Sequence, residues 1–334
     1  MTKTMKSGFM ETAIQYVKHV EILMLPDTHL RGLLERGQFV VTAEIGAPND
    51  SDAGVLVQRA NLVKDHCDAI NVADNPRGLS RMSSLACAHM VYETGAEPVM
   101  HMATRNRNRV QFQSDLFGAS ALGVRNILLI TGDVPAQGSK SEKEKTPELD
   151  SIRALGLAST LMEGKNLEGE DLEGAPSFHL GSTFDPYALP QDTHVKRVWE
   201  KHDAGAEFFQ TQAIYDLDGF QDFMDQIESL DARVLAGIVP LQGSEMAEFM
   251  NSEIPGILVP DDYIGRLRDA EHGLQDEERL AASQEEGVRI AAEIIEAVRR
   301  MRGVDGIHIM GIGWEESIPQ LVESTGLYPR PKRG

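Results

Sequence analysis

The sequence predicts an α/β protein, a (β/α)8 TIM-type barrel with an N-terminal extension and loop insertions. The first observation is that short apolar runs alternate with helix-like stretches eight times along the 334 residues. The second is that each run is almost continuously apolar, as parallel strands covered on both faces should be. The third is that no GxGxxG sequence follows the first run. Its absence disfavours the alternative, an open doubly wound sheet with a dinucleotide-binding turn.

The predicted strands follow one another at regular intervals, and each precedes a predicted helix. In order they are residues 39–46, 68–74, 97–103, 125–133, 177–184, 206–216, 232–240 and 306–313. Several of the following helices end at a glycine, as helices commonly do: Gly95, Gly123 and Gly205. Near the C-terminus, the helical spacing of Ile290, Ile294 and Val298 predicts the buried face of a further helix.

Four segments fall outside the repeating pattern: residues 1–36, 136–148, 163–176 and 252–284. We divide the chain into an N-terminal extension, the catalytic barrel and a C-terminal tail, residues 1–36, 37–328 and 329–334. An amphipathic stretch from Ile14 to Leu25 predicts that the extension either closes the bottom of the barrel or contacts a partner. Two insertions rich in charged residues or glycine are predicted to be exposed loops, residues 136–148 and 163–176.

Composition limits the class of protein and of partner. The 32 basic and 52 acidic residues give a net charge of 32 − 52 = −20, which repels nucleic acid and anionic lipid. A solvated surface is the simpler explanation of this charge, and a face that docks a basic partner is the alternative. No run of 18 apolar residues and no secretory pattern is present, so we expect a cytoplasmic protein without a membrane span. Cys67 and Cys87 lack CxxC spacing, which argues against a zinc site.

Polar residues gather at the predicted carboxyl ends of the strands, where barrel enzymes build their active sites. They are Glu44, Asp74 with Asn75, His101 with Thr104, Asp133, Asp185, Gln212 and Trp314. Each alone has a structural explanation, such as a turn, a satisfied core histidine or a salt bridge. Their number at one rim predicts an enzyme. There is no GxSxG, no HExxH and no cluster of metal-ligating residues, so a bound organic cofactor is expected to supply the chemistry.

One of these residues raises a specific question. The stretch VVTAEIGAP, residues 40–48, carries the carboxylate of Glu44 to the end of a core strand. A buried carboxylate without a partner costs several kcal/mol or takes up a proton. Glu44 is therefore expected either to meet a partner or to serve as an acid in catalysis.

Several motifs resemble methylenetetrahydrofolate reductase, in order over about residues 30–328. They are VVTAEIGAP, the Asp74-Asn75 turn, HMAT, LLITGDVP, KHDAGAEFFQTQAIYD and AGIVP. The resemblance implies reduction of 5,10-methylenetetrahydrofolate to 5-methyltetrahydrofolate, or the reverse, through a bound flavin. FAD is the implied cofactor and FMN the alternative, with NADH, NADPH or another electron carrier as donor. The implied partner is a tetrahydrofolate derivative. Whether the chain also forms a homo-oligomer or binds a partner redox subunit stays open.

The resemblance also implies roles for individual residues. Glu44 would protonate the folate nitrogen that leaves when the five-membered ring opens. The pterin would be bound by Asp133 and Gln212. Positions expected to line or hold the flavin are Asp74, His101, Thr131, Gly132 and Lys201, the last as a phosphate partner.

The sequence departs from the family at three places. Thr131 stands where many members have an arginine, Asp185 and Tyr187 stand near the expected adenine-side positions, and Gly313-Trp314 replaces Asn-Arg. Trp314 is expected to stack on a ring system or to pack on the rim. Two alternatives to a free-standing reductase therefore stay open. One is a folate- or flavin-binding barrel subunit that acts only in a complex, and the other is a folate methyltransferase barrel.

Overall fold

The computed structural model describes residues 28–132, 148–254 and 256–333, and these form a closed barrel of eight parallel strands in sequential order. The strands are β1 (Val40–Ile45), β2 (Ala69–Val72), β3 (Pro98–Ala103), β4 (Asn126–Ile130), β5 (His179–Phe184), β6 (Phe208–Ala213), β7 (Arg233–Ile238) and β8 (Gly306–Met310). The predicted fold class is confirmed, and every observed strand lies inside its predicted range. Each predicted range extends past its strand at one or both ends.

Helices surround the barrel, with one preceding it. In order they are α1 (His29–Glu35), α2 (Ala53–Val63), α3 (Ser84–Glu93), α4 (Arg109–Ala121), α5 (Ser151–Met162), α6 (Gln191–Asp203), α7 (Leu217–Gln226), α8 (Ser244–Glu253), α9 (Asp261–Glu271), α10 (Asp276–Val298) and α11 (Ser317–Ser324). Ile290, Ile294 and Val298 are buried on α10, as their spacing predicted. No helix in the described ranges is both long and apolar enough to cross a membrane.

The strands alternate between two environments. On β1, Val41, Ala43 and Ile45 point outward and pack in the main hydrophobic core between the barrel and its helices. Thr42 and Glu44 lie between them and point into the barrel, since successive side chains of a strand face opposite sides. This alternation sends the polar residues of the apolar-looking strand to the inside.

Helix α1 closes the amino-terminal end of the barrel. Its Leu30, Leu33 and Leu34 are almost completely buried, in a second hydrophobic cluster with residues of the strands: Val40, Ala69, Val99, Leu128, Phe208 and Leu235. The side chain of Glu97 accepts hydrogen bonds from the first two amides of the helix, at 2.7 and 2.9 Å. The described part of the predicted extension, from residue 28, thus forms the bottom of the barrel. Residues 1–27, with the amphipathic stretch, lie outside the described residues.

Three histidines are buried in the strands of the barrel. Burial lowers the pKa of His101 to about 4, against the opposing effect of Asp74. Burial also lowers the pKa of His179 and of His308 to about 3, with smaller contributions from Arg31 and from His101 respectively. All three imidazoles are therefore neutral at pH 7.

Replacing Leu33 by alanine should destabilise the protein by about 2–5 kcal/mol, because the cavity left in the lower cluster cannot collapse between rigid strands. Replacing Leu280, which is 49% exposed on α10, by alanine should change the free energy of unfolding by no more than about 0.5 kcal/mol. Urea unfolding followed by circular dichroism measures both. Equal midpoints for the two variants would show that α1 does not contribute to the stability of the barrel.

The buried histidines predict acid sensitivity. Between about pH 6.5 and pH 4 the unfolded chain binds protons that the folded barrel excludes, so stability is complete above this window and falls as the pH drops through it. Each histidine contributes at most about 1.4 kcal/mol per pH unit. The variant His179→Gln should flatten the slope of unfolding free energy against pH by about one proton. A slope identical to that of the wild type would contradict this account.

Candidate active site

The predicted site residues surround one cavity of about 470 Å3 at the carboxyl ends of the strands. Seven of the eight line it: Glu44, Asp74, His101, Thr131, Gly132, Lys201 and Gln212. The eighth, Asp133, lies outside the described residues, as does the predicted loop of residues 136–148 up to residue 147. The seven described positions, which come from different strand ends and from α6, thus share one cavity.

Glu44 lies near the end of β1 with its side chain 29% exposed to the cavity. Its Oε2 atom is 3.9 Å from Nδ1 of His101 on β3 and 3.9 Å from Nε2 of His308 on β8. Because both imidazoles are neutral at pH 7, these contacts are not ion pairs. The carboxylate therefore meets partners and also faces the cavity, so the two expectations stated for it are compatible.

Below Glu44, hydrogen-bonded side chains cross the interior of the barrel. Nδ2 of Asn71 donates to Nε2 of His101 at 2.8 Å and to Oε1 of Gln210 at 2.7 Å. Nε2 of Gln210 donates to Oγ1 of Thr42 at 3.1 Å, and Oγ1 lies 3.0 Å from Nδ1 of His308. Together with Glu44 these five residues close a ring, which we call the interior ring.

Asp74 follows β2, and both of its carboxylate oxygens already accept hydrogen bonds from this chain. The guanidinium of Arg107 and the backbone amide of Ala103 donate to Oδ2. The side-chain amide of Asn75 donates to Oδ1. Arg107 also binds Asp115 at 2.8 Å. Asp74 therefore fixes the loops after β2 and β3 in place while lining the cavity.

Thr131 and Gly132 form the wall of the cavity after β4. The hydroxyl oxygen of Thr131 accepts a hydrogen bond of 3.1 Å from the backbone amide of Ser151, the first residue of α5. Gly132 has a φ of +91°, and a Cβ atom at this position would lie 3.1 Å from that of Ala103. Both the backbone conformation and the close approach require glycine here.

Basic groups line the cavity in this acidic protein. They are Lys201, Arg197 and His194 on α6, and Arg105 in the loop after β3. The ammonium of Lys201 donates to the carbonyl of Thr183. Burial, assisted by Arg197, lowers the pKa of Lys201 to about 8. Sequence reasoning identified only Lys201, although a one-turn helical spacing could have identified Arg197.

Gln212 lies at an irregular end of β6. The register of β6 against β7 shifts between Gln210 and Ala213, and a Cβ atom on Gly237 would lie 2.5 Å from the carbonyl oxygen of Gln212. This β-bulge leaves Gln212 exposed to the cavity while Gln210 is buried in the interior ring. Both residues line the cavity, but the amide of Gln210 is engaged in the interior ring.

The other departures from the family have structural partners. Asp185 lines the cavity and accepts the amide of Tyr187 at 2.9 Å, and burial raises its pKa. The hydroxyl of Tyr187 donates to the carbonyl of Asp216 at 2.7 Å. Trp314 packs against the main hydrophobic core, which agrees with the expectation that it packs on the rim.

His308, Gln210 and Arg105 were not identified from the sequence. The signal available for His308 was a single polar residue within the apolar strand GIHIM.

Comparisons with known proteins agree with this architecture. The sequence model of the methylenetetrahydrofolate reductase family matches residues 29–326. A Caenorhabditis elegans protein named probable methylenetetrahydrofolate reductase (NADPH) is 25% identical over 252 residues, 74% of this chain and 35% of that protein. The 5,10-methylenetetrahydrofolate reductase of Salmonella typhimurium is 24% identical over 244 residues, 71% of this chain and 72% of that protein. The match thus spans about a third of the longer eukaryotic relative.

A solved structure shares the fold. It is an uncharacterized protein from Clostridium thermocellum that binds two copies of 5-methyl-5,6,7,8-tetrahydrofolic acid. It superposes with a TM-score of 0.58 over 90% of this chain and 99% of that one, at 14% identity. Since the family model covers all eight strands and the cavity they carry, the chain belongs to the methylenetetrahydrofolate reductase family.

Proposed function

We propose that the chain catalyses the flavin-dependent reduction of 5,10-methylenetetrahydrofolate to 5-methyltetrahydrofolate, or the reverse reaction. The observation that carries this proposal is that the carboxyl group of Glu44 shares one cavity with Gln212 and with the basic groups of α6. The reaction needs an acid, a polar contact for a pterin and a holder for an anionic cofactor. Family membership supports the same reaction.

The chemistry of the cavity wall suits a flavin. Small and apolar side chains line it together with the bare backbone of Gly132: Ala73, Ala103, Leu128 and Ile130. Such a wall accepts a flat ring system. Lys201, Arg197 and Arg105 carry the positive charge that a flavin phosphate requires. FAD is the proposed cofactor and FMN the alternative. When bound, the flavin supplies the hydride that adds to the methylene carbon.

Glu44 has the proposed role of general acid. The five-membered ring of the substrate opens to an iminium only when its leaving nitrogen receives a proton. The glutamate faces the cavity from the end of β1, and its other side rests on the histidines of the interior ring. Glu44 can therefore hold a proton at the cavity wall while its carboxyl group stays in contact with the interior ring.

Gln212 has the proposed role of binding the pterin, because an exposed side-chain amide both donates and accepts hydrogen bonds. Asp133 is proposed for the donor-rich edge of the same ring, from the Gly-Asp motif alone. His101 contributes through Glu44, and Asp74 through the loops it fixes. The electron donor is proposed to be NADH, NADPH or another carrier.

Replacing Glu44 by glutamine should lower the rate of methyltetrahydrofolate formation by about 100-fold to 10,000-fold, the usual contribution of a general acid. Reduction of the bound flavin by its donor should fall far less, since that step transfers no proton to folate. The measurement compares single-turnover folate reduction with flavin bleaching in a stopped-flow instrument. Assays with NADH, NADPH and an artificial dye identify the donor class. Normal methyltetrahydrofolate formation by the variant would refute the role.

Replacing Lys201 by methionine should weaken flavin binding by about 10-fold to 100-fold, because a partly desolvated charge contact to phosphate is lost. The control is Lys196→Met on the same helix, where the side chain is 76% exposed and pairs with Glu200. Titration of the flavin-free protein with FAD and with FMN measures both variants and ranks the two cofactors. Equal affinities for the two variants would remove Lys201 from the flavin site.

A further inference from the structure

His308 stands in β8 directly beside Thr42 of β1, and no role follows for it from the proposed site residues. It is 3% exposed, and its two ring nitrogens face different groups. Nδ1 lies 3.0 Å from the hydroxyl oxygen of Thr42, and Nε2 lies 3.9 Å from Oε2 of Glu44. A neutral imidazole carries its proton on one nitrogen only, so the partner of Nδ1 decides what Nε2 offers to Glu44.

The tautomer of His101 follows from its own partner. The amide nitrogen of Asn71 is a donor, so Nε2 of His101 must accept. The single ring proton of neutral His101 is then on Nδ1, the nitrogen that faces Oε2 of Glu44. Turning over the amides of Asn71 and Gln210 together would move this proton to Nε2. The tautomer of His101 therefore reports the direction of hydrogen bonding around the interior ring.

The tautomer of His308 follows from Thr42. The hydroxyl oxygen of Thr42 accepts a hydrogen bond from Nε2 of Gln210, and its single proton must go elsewhere. Nδ1 of His308 is nearer, at 3.0 Å, than the carbonyl oxygen of Ile307, at 3.4 Å. We infer that the hydroxyl donates to this nearer acceptor, which places the ring proton of His308 on Nε2, facing Glu44; donation to Ile307 would instead place it on Nδ1.

We propose that His101 and His308 are positioning residues that direct two N–H groups at Oε2 of Glu44 and so leave the carboxyl proton on Oε1. This inference rests on the proposed function of Glu44. The two distances of 3.9 Å exceed a hydrogen bond, and such contacts commonly tighten when a substrate closes the site. In the carboxylate form that remains after proton transfer, both donors stabilise the charge.

Neutral donors suit an acid that must hold its proton before the reaction. A cation beside Glu44 would favour the carboxylate form more strongly than a neutral N–H group does. Burial keeps both imidazoles uncharged, and the six described residues that make up the interior ring include neither a lysine nor an arginine. The other titratable and charged groups that line the cavity are Asp74, Arg105, Asp185, His194, Arg197 and Lys201.

The first test reads the tautomers without any turnover. Protein labelled with 15N in its imidazole rings is measured by NMR at pH 7, and signals are assigned from their absence in His101→Gln and His308→Asn. The expected result is a proton on Nδ1 of His101 and on Nε2 of His308. A proton on the opposite nitrogen of either residue overturns the proposal, whether or not the protein reduces folate.

The second test compares two amides at position 308. In His308→Asn the amide reaches the place of Nδ1 beside Thr42 but not Glu44, whereas in His308→Gln it reaches the place of Nε2. We expect the asparagine variant to lower kcat for folate reduction about tenfold and to raise the midpoint of its pH dependence by about one unit, because the carboxylate loses a donor. The glutamine variant should recover most of both effects.

The control is His179→Asn, the same substitution at another buried, neutral histidine of the barrel, whose Nδ1 contacts Asn126 at 3.0 Å. It should leave the midpoint of the pH dependence in place. A midpoint in His308→Asn equal to that of the wild type overturns the proposal. Failure of the proposed function is recognised separately, since the wild type would then form no methyltetrahydrofolate with any donor while the tautomers remain measurable.

Discussion

The interior ring is the constraint on which the cavity depends. A polar side chain within a barrel costs several kcal/mol unless it is hydrogen-bonded, so each member of the ring needs the next one. Asn71 and Gln210 exchange hydrogen bonds across the barrel. Asn71 also donates to His101, and Gln210 donates to Thr42, which contacts His308. The rotamers that satisfy the ring also place both imidazoles 3.9 Å from Oε2 of Glu44. Satisfying the buried polar groups and positioning the histidines beside the acid are therefore a single structural requirement.

The two ends of the barrel divide the work of stability and chemistry. At the amino-terminal end, the leucines of α1 and the first residues of the strands bury a continuous apolar cluster. Buried polar groups at this end are paired with one another or with the backbone: Glu97 caps the start of α1, and Nδ1 of His179 lies 3.0 Å from Oδ1 of Asn126. The carboxyl-terminal end can then carry histidines, amides and a carboxylate, since the cost of their burial is offset elsewhere in the fold. This division is the usual one for barrel enzymes.

Charge is distributed against the overall trend of the molecule. The chain carries a net charge of −20, yet Arg105, Arg197 and Lys201 line the same cavity. An isolated ammonium as buried as that of Lys201 loses hydration, and the lowered pKa reports this cost. A bound anion would restore the lost solvation. The acidic exterior repels anions from the rest of the surface, so attraction for an anion is concentrated at the cavity.

Repeating local patterns predicted the strands and the position of the site, whereas contacts between residues distant in sequence could not be predicted. All eight strands were recognisable because apolar runs and C-terminal glycines such as Gly95 are local signals. Glu44 and Gln212 were recognisable because strand ends of a barrel converge on one face. His308 was missed because a histidine inside an apolar strand has no local pattern, and its meaning comes from Thr42, 266 residues away. The engaged state of Asp74 was missed for the same reason, since Arg107 follows the next strand. Periodicity therefore locates a barrel site, whereas the tautomers and ion pairs that tune it are properties of the closed barrel alone.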